Sequence, residues 1–305
     1  MKAKVHITVC ICTYKRPIML DNLLSRLSIQ RTENSFIYDI VIVDNDNIGS
    51  AKDVALKHSQ LIQTNIKYLL EIEKNIAIAR NKAINHSIGD FVAFIDDDEF
   101  PENDWLLNLL NAHFKYACNI ILGPVLPYYD LSVPKWVVKS KLCERPRYKS
   151  GSLVNWRNTR TGNALVKKSI FENGNCVFDP TYGHGGSDVK FFQRVAEKGH
   201  KIVWCDEAIV HEFVPPERHT LKYFVKRAFL QGSVSSKYKH KYENNNFKYS
   251  VLIESLIAVM IYTALMPFAL IVGPYMASKI LIKDIHHLSR SLAILGLVKV
   301  KNRNF

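Results

Sequence analysis

The sequence lacks the devices by which many nucleotide and metal proteins declare themselves. It has no G-x-x-x-x-G-K-[ST] loop and no G-x-G-x-x-G after its first apolar run, which leads instead to "CTYKRP". A P-loop kinase and a Rossmann dehydrogenase both need such a turn to bring backbone amides close to phosphate, so both lose ground. The six cysteines (Cys10, Cys12, Cys118, Cys143, Cys176 and Cys205) form no C-x-x-C pair. That argues against a zinc ribbon and for free thiols in a reducing compartment. His211–Glu212 opens like H-E-x-x-H, but Pro215 stands where the second histidine belongs, which excludes a zinc protease of that kind. No internal repeat and no low-complexity segment is present. Negative charge is also scarce: 28 Asp and Glu face 41 Lys and Arg, for a net charge of +13. Such a balance favours a polyanionic partner, whether nucleic acid, an acidic membrane surface or a phosphorylated ligand.

Against that scarcity stands "FVAFIDDDEFPE" (91–102), where an apolar run ends in Asp96, Asp97, Asp98 and Glu99. Two carboxylates 4 Å apart repel by about 4 kcal/mol at an effective dielectric near 20. Such a run must be hydrated, paired with cations on the chain, or given a metal ion. Side chains alternate along a strand, so Asp96 and Asp98 are expected to point to one side and Asp97 to the other. Oxygen ligands of this kind suit Mg²⁺ or Mn²⁺, which use one or two carboxylates together with substrate phosphates.

With 48% hydrophobic and 23% charged residues in 305, most of the chain is expected to be globular. Apolar, β-branched runs at 5–14, 38–45, 66–72 and 91–97 alternate with helical periods at 18–30, 50–62 and 75–87. This alternation predicts a parallel sheet covered on both faces, with ligands at the carboxyl ends of its strands. Asp44 ends the second strand and Asp96–Asp98 end the fourth, where a ligand would be held. A helix over 103–117, a strand over 119–128, a strand from 161, a helix after "GHGGSD" and a strand over 201–214 complete the pattern. The N-terminal run reads as a strand, not a signal peptide, because no small-residue cleavage site follows it. The body is therefore expected in the cytosol.

The composition changes after Pro215–Pro216. From Pro215 to Ser250 there are eight Lys and Arg and two Glu, and "LKYFVKRAFLQG" (221–232) is amphipathic. Ser255 to Ser278 then run for 24 residues without a charge. As a helix this run is about 36 Å long, enough for a bilayer core of about 30 Å. Pro267 and Pro274 suggest a kinked span or a re-entrant hairpin. Lys237, Lys239, Lys241 and Lys248 precede the run, and Lys279, Lys283 and Arg290 follow it, which suits two cytosolic ends. Beside such a run, a membrane surface is a simpler partner for the basic segment than nucleic acid.

The motifs "TVCICTYKRP", "IVIVDN", "NIAIARNKAI", "FVAFIDDDEFP", "TGNALV" and "FDPTYGHGGSDVKFFQRV", in that order, resemble a bacterial family-2 glycosyltransferase. "HEFVPPERHTLKYFVKRAFLQG" is similar to the branch that holds the succinoglycan-type exopolysaccharide glucosyltransferases. The resemblance runs from about residue 5 to 235. It implies a GT-A fold: an α/β, Rossmann-like, mostly parallel sheet with helices on both faces, here followed by a C-terminal helical membrane-associated segment. It implies a catalytic domain over 1–215, with a nucleotide-binding half (1–100) and an acceptor and base half (101–215). A basic linker (216–250) and hydrophobic helices with a basic tail (251–305) follow.

Carried over residue by residue, the resemblance implies that Thr13, Tyr14 and Arg16 line the nucleotide pocket and that Asp44 bonds the base, usually uracil. Arg80 and Asn81 lie by the donor. Asp98 ligates Mg²⁺ or Mn²⁺, Asp96 and Asp97 hold the sugar or ribose, and Thr161–Gly162–Asn163 forms the floor under the donor sugar. Asp188 is the catalytic base. Ser187 replaces the glutamate that often precedes that base, and Lys190 replaces an acid that often follows two positions later. His211 occupies a position where some relatives supply a further metal ligand. The expected function is inverting transfer of a sugar from a nucleotide-diphosphate donor, UDP-hexose first, to a glycan acceptor, lipid-linked, at the cytosolic face of a bacterial inner membrane. A metal-dependent nucleotidyltransferase, or a basic membrane- or nucleic-acid-binding scaffold, is the alternative.

Overall fold

The computed structural model describes residues 4–172, 177–183, 185–240 and 245–298. Four apolar runs form the strands β1 (Val5–Thr13), β2 (Phe36–Asp44), β3 (Ile66–Leu70) and β4 (Phe91–Ile95). Between them lie α1 (Pro17–Leu27), α2 (Lys52–Leu61) and α3 (Ile76–Asn85). A short strand β5 (Glu99–Pro101) leads into α4 (Trp105–Tyr116), β6 (Ile120–Leu122), β7 (Val125–Tyr128) and α5 (Lys135–Ser140). Then come β8 (Asn163–Lys167), α6 (Ser187–Glu197), β9 (Val203–Trp204), β10 (Val210–Phe213), α7 (Leu221–His240), α8 (Asn245–Val272) and α9 (Pro274–Ile294).

The main sheet has the order β3-β2-β1-β4-β8-β6-β9. Its pairs are parallel except that β8 runs antiparallel to both β4 and β6. Strand alternation splits the core into two layers. Ile7, Val9, Ile11, Ile40, Ile42, Phe91, Ala93 and Ile95 join α1, α2 and α4 on one face. Cys10, Val41, Val43, Val92 and Phe94 join α3 and α6 on the other. The expected mostly parallel sheet with helices on both faces is what the chain builds. Strand order reverses at β1, which has β2 on one side and β4 on the other, so a crevice opens beyond Thr13 and Ile95.

Three elements differ from expectation. The strand over 119–128 breaks into β6 and β7 at Gly123–Pro124, and that over 201–214 into β9 and β10. Proline has no amide to donate, so a ladder stops there. The freed strands form a second, three-stranded sheet, β5-β10-β7. Asp96–Asp98 do not continue β4 but form a turn closed by Glu99 N–H donating to Asp96 O at 3.1 Å. Their side chains therefore do not alternate as a strand's would.

Residues 1–127 and 145–213 form one compact unit, and residues 128–144 and 214–305 another. The sequence reading kept 128–144 with the first. In the second unit, Val133, Val137 and Phe224 make a small core, and Trp136 packs edge-on against Phe224 with centroids 6.1 Å apart. Trp136 is thus a packing residue. Tyr249–Val272 of α8 is long and apolar enough to cross a membrane, with mean hydropathy 2.3 and 11% of its most apolar stretch buried. The helix continues through Pro267 and ends before Gly273, where α9 starts and returns antiparallel: Arg290 donates to Ser255 Oγ at 2.7 Å and Thr263 to Asp284 at 3.3 Å. The expected flanking side chains of Lys237, Lys239, Lys241 and Lys248 lie outside the described residues.

Candidate active site

The site is assembled at the carboxyl end of the sheet's reversal point. Lys15, in the left-handed region at φ 56°, turns the chain sharply after β1, and Pro17 opens α1 behind it. The turn aims Arg16 at the acidic run. One guanidinium nitrogen bonds Asp97 Oδ1 at 2.9 Å and Asp98 Oδ2 at 3.0 Å. Thr13 Oγ1 donates to the other Asp97 oxygen at 2.8 Å. Burial raises the Asp97 carboxyl, and Arg16 opposes the rise. Tyr14 sits beside Arg16 with the Lys15 and Lys74 ammonium groups 5.4 and 4.6 Å from its ring centroid. Together they make a basic, aromatic rim beside the acids.

On the far side, α3 supplies Arg80. The helix is capped by Asn75, whose side chain accepts from Ala77 N and Ile78 N. Arg80 places one nitrogen 3.1 Å from Ser187 Oγ and the other 3.7 Å from Asp96 Oδ1. It thereby bridges the acidic turn and the first residue of α6. Asp188 follows in that first turn, its Oδ1 accepting from Val189 N at 2.8 Å. Gly186, not Ser187, holds the N-cap position, and Ser187 spends its hydroxyl on Arg80. Burial, then the charges of Asp98, Asp97 and Asp188, push the Asp96 carboxyl up to about 6 against the pull of Arg80. Half of that side chain remains open. Thr13, Arg16, Arg80, Asp96, Asp97, Asp98 and Asp188 thus meet in one place.

Four other expected residues are committed elsewhere. Asn163 is fully buried: Trp105 Nε1 donates to its Oδ1 at 2.8 Å, and its amide donates to Pro124 O and Ala208 O at 2.9 and 2.6 Å. It ties β8 to the chain breaks that follow β6 and β9, and both of its amide hydrogens are engaged there. Gly162 packs against the acidic run, where a Cβ would stand 2.4 Å from Glu99 Oε1. Asn81 brackets the Phe178 backbone, donating to its carbonyl at 2.7 Å and accepting its amide at 2.9 Å. Asp44 is fully buried and accepts from Asp46 N, Ala51 N and Tyr68 Oη at 3.0, 2.8 and 3.0 Å. Beside it, Asp46 is 1% exposed, and its Oδ2 has no partner among the described residues. His211 pairs with Phe100 in the small sheet, stacks on its ring and meets Glu102 at 2.7 Å. Glu99 and Glu212, one residue away on each strand, form the opposite face of that pairing, so His211 faces away from Glu99.

The sequence reading missed a second ring of charge. Glu99 is buried, accepts from Asp96 N at 3.1 Å, and is held well above the usual carboxylate range by burial and then by Asp96. Glu212 is buried and paired with Arg145. Arg160 lies close enough to Glu99, Asp188 and Glu212 to feel their charges. Only the position of Arg160 just before "TGN" offered a signal, and a single arginine carries no period.

No group of three His, Cys, Asp or Glu side chains poised to enclose a metal occurs among the described residues. What the turn offers is one or two oxygen ligands in a field with more acid than Arg16 and Arg80 balance. That fits Mg²⁺ or Mn²⁺ completed by a substrate's phosphates and water, and it does not fit a closed zinc site.

A switch-point crevice with an acidic turn, an arginine on each side of it and a carboxylate at a facing helix start defines a glycosyltransferase of the GT-A type. The model of glycosyl transferase family 2 matches residues 8–174, and the chain belongs to that family. It is 32% identical over 230 residues to the succinoglycan biosynthesis protein ExoM of Rhizobium meliloti, covering 75% of this chain and 73% of that protein. Among solved structures it is similar to residues 1–349 of S. aureus TarS in complex with UDP-GlcNAc, with TM-score 0.57, 14% identity, and 95% of this chain and 92% of that one covered. The chain spans 55% of the longer TarS structure. It is equally similar to the mannosyltransferase PcManGT of Pyrobaculum calidifontis in complex with GDP-Man and Mn²⁺, with TM-score 0.57, 16% identity, and 97% and 75% covered. At these identities the two structures establish the fold.

Proposed function

We propose that the chain transfers a hexosyl group from UDP-hexose to a lipid-linked glycan acceptor in the assembly of a bacterial exopolysaccharide, with inversion at the anomeric carbon. The observation that carries this reading is the bridge made by Arg80 between Asp96 in the acidic turn and Ser187 at the start of the Asp188 helix. It sets a donor-binding acid and a candidate base against one reaction space. The 32% identity to a succinoglycan biosynthesis protein supports the exopolysaccharide context. The uridine donor rests on the motif resemblance, since structures bound to UDP-GlcNAc and to GDP-Man share the fold alike.

In this mechanism Asp188 takes the proton of the attacking acceptor hydroxyl, which needs an ionised carboxylate facing the acceptor. Arg16 and Arg80 hold the acidic turn and lend positive charge where the leaving diphosphate gains negative charge. Asp98 would hold Mg²⁺ or Mn²⁺, which neutralises that diphosphate when bound. One base and one displacement give inversion. Tyr14 and its lysine rim, with the free oxygen of Asp46, are the groups available to the nucleoside.

Membrane association is part of the same reading. A stripe through Val251, Ser255 and Ala269 is buried, while Ile253, Ile257, Met260, Ile261, Leu265, Phe268 and Ile271 are exposed. Since α9 lies along α8 with Lys279, Lys283, Asp284 and Arg290, crossing the bilayer would carry those charges into hydrocarbon. An in-plane hairpin at the cytosolic face avoids that cost.

The test is a panel of UDP-, GDP- and TDP-sugars with Mn²⁺ or Mg²⁺ and a membrane lipid extract, with Asp188→Asn alongside. Metal-dependent UDP release that needs the extract is expected, with the variant binding UDP but turning over about 10³-fold more slowly. Failure of any nucleotide to bind with either metal overturns the reading.

A further inference from the structure

One charged cavity extends from the second ring of charge described above. It is lined by Gly123, Pro124 and Val125 between β6 and β7, by Trp204 at the end of β9, by Asn158, and by Arg145, Arg147 and Arg160. Two of the three arginines are satisfied. Arg147 makes a two-pronged pair with Asp206 at 3.0 and 2.8 Å, and Arg145 pairs with Glu212. Arg160 is half-buried and has no hydrogen-bond or ion-pair partner among the described residues. A half-buried guanidinium has five donors, and those without a protein acceptor are open to a ligand that supplies one.

Its place in the sheet says which ligand. The donor-side groups Thr13, Arg16 and Asp96–Asp98 stand at the ends of β1 and β4. The cavity stands at the ends of β6 and β9, beyond β8 in the order β4-β8-β6-β9. It is linked to the reaction space through two residues of chain, since Gly162 abuts Glu99 and Glu99 holds Asp96 N. The charges that act on Arg160 include those of Glu99, Asp188 and Glu212. Burial, and then the like charge of Arg145, pull the Arg160 guanidinium down to about 10, against the nearby acids Glu99, Asp188 and Glu212.

We propose that Arg160, with Arg145 beside it, is an oxyanion-binding subsite on the acceptor side of the sheet, receiving a phosphate or carboxylate group of the incoming acceptor. Arg160 is the anchor because its planar fork is unengaged and matches either group in a two-pronged pair. Arg145 keeps its tie to Glu212 and adds field. An anion held there would orient the acceptor hydroxyl toward Asp188 without taking part in the displacement. The proposal rests on the transferase reading for the identity of its second substrate.

The test uses the full-length protein in detergent, in EDTA so that no metal site recruits the probe. Calorimetric titrations with methyl phosphate and with glucuronate are run on the wild type, Arg160→Gln and Arg160→Lys, and UDP with Mn²⁺ is titrated separately into each. One of the two anions is expected to bind the wild type. Arg160→Gln should weaken that binding about tenfold or more, and Arg160→Lys about threefold. UDP affinity should be the same in all three proteins, which also shows that the variants are folded. Methyl phosphate as the bound probe assigns the subsite to a lipid-linked phosphate, and glucuronate assigns it to an acidic sugar. The proposal is overturned if neither anion binds the wild type, if Arg160→Gln binds as well as the wild type, or if UDP affinity falls in step with anion affinity. Absence of UDP binding by the wild type sinks the donor reading instead and leaves the EDTA result standing.

Discussion

Two acidic stations stand at neighbouring strand ends and have opposite fates. Asp44, closing β2, is fully buried and accepts three bonds from the chain's own donors. Asp96–Asp98, beyond β4, share two arginines and a threonine among three carboxylates, and burial with mutual repulsion raises Asp96 to about 6. Strand-end position alone would make ligand sites of both. What separates them is the supply of donors: Asp44 accepts three bonds from groups that serve no other carboxylate, whereas the three carboxylates of the turn divide Arg16, Arg80 and Thr13 among them.

The sharpest way to break this comparison is Asp98→Asn. If the turn is a binding group, kcat/KM should fall by about 10³-fold while the melting temperature shifts by less than about 3 °C, read by donor turnover and thermal unfolding. An equal loss of stability would make Asp98 a brace as well. Asp44→Ala should do the reverse. It strands the amides of Asp46 and Ala51 and the Tyr68 hydroxyl, so unfolding in urea should show a loss of roughly 3 kcal/mol. Asp46→Asn refines the contrast within a single loop. Its unpartnered oxygen predicts roughly tenfold weaker nucleotide binding with near-native stability, measured by titration with UDP. The smallest effect is expected from Asp96→Asn in metal-free protein. The ionised carboxylate is disfavoured in the fold, so its contribution to stability falls as pH rises from its unfolded value near 4 toward about 6. The neutral variant should therefore melt slightly higher than wild type at pH 7, by about 1–2 °C since the group is half open to solvent, and the difference should vanish below pH 4.

The sheet was legible because its strands obey one rule. The stretches 9–12, 40–43 and 91–95 are apolar on both faces, as a doubly covered sheet requires. The acidic turn and the arginines around it were legible because charge that follows a buried strand must be met by something. Asn81, Asn163 and His211 were not, because their partners are the Phe178 backbone, the carbonyls of Pro124 and Ala208, and Glu102. Most of those partners lie far along the chain, and no local period encodes them. Arg160 escaped for the opposite reason: its distinction is the want of a partner, which only the folded chain reveals.

On the membrane seating proposed above, the apolar flank of α8 would change what concentration means for this enzyme. A helix with so little polar surface, held in the plane of a lipid leaflet, confines its owner to two dimensions. An acceptor anchored in the same leaflet is then counted per unit of area, and rates follow mole fraction in the bilayer. Adding inert phospholipid at constant enzyme and acceptor would slow transfer although nothing in the bulk solution had changed.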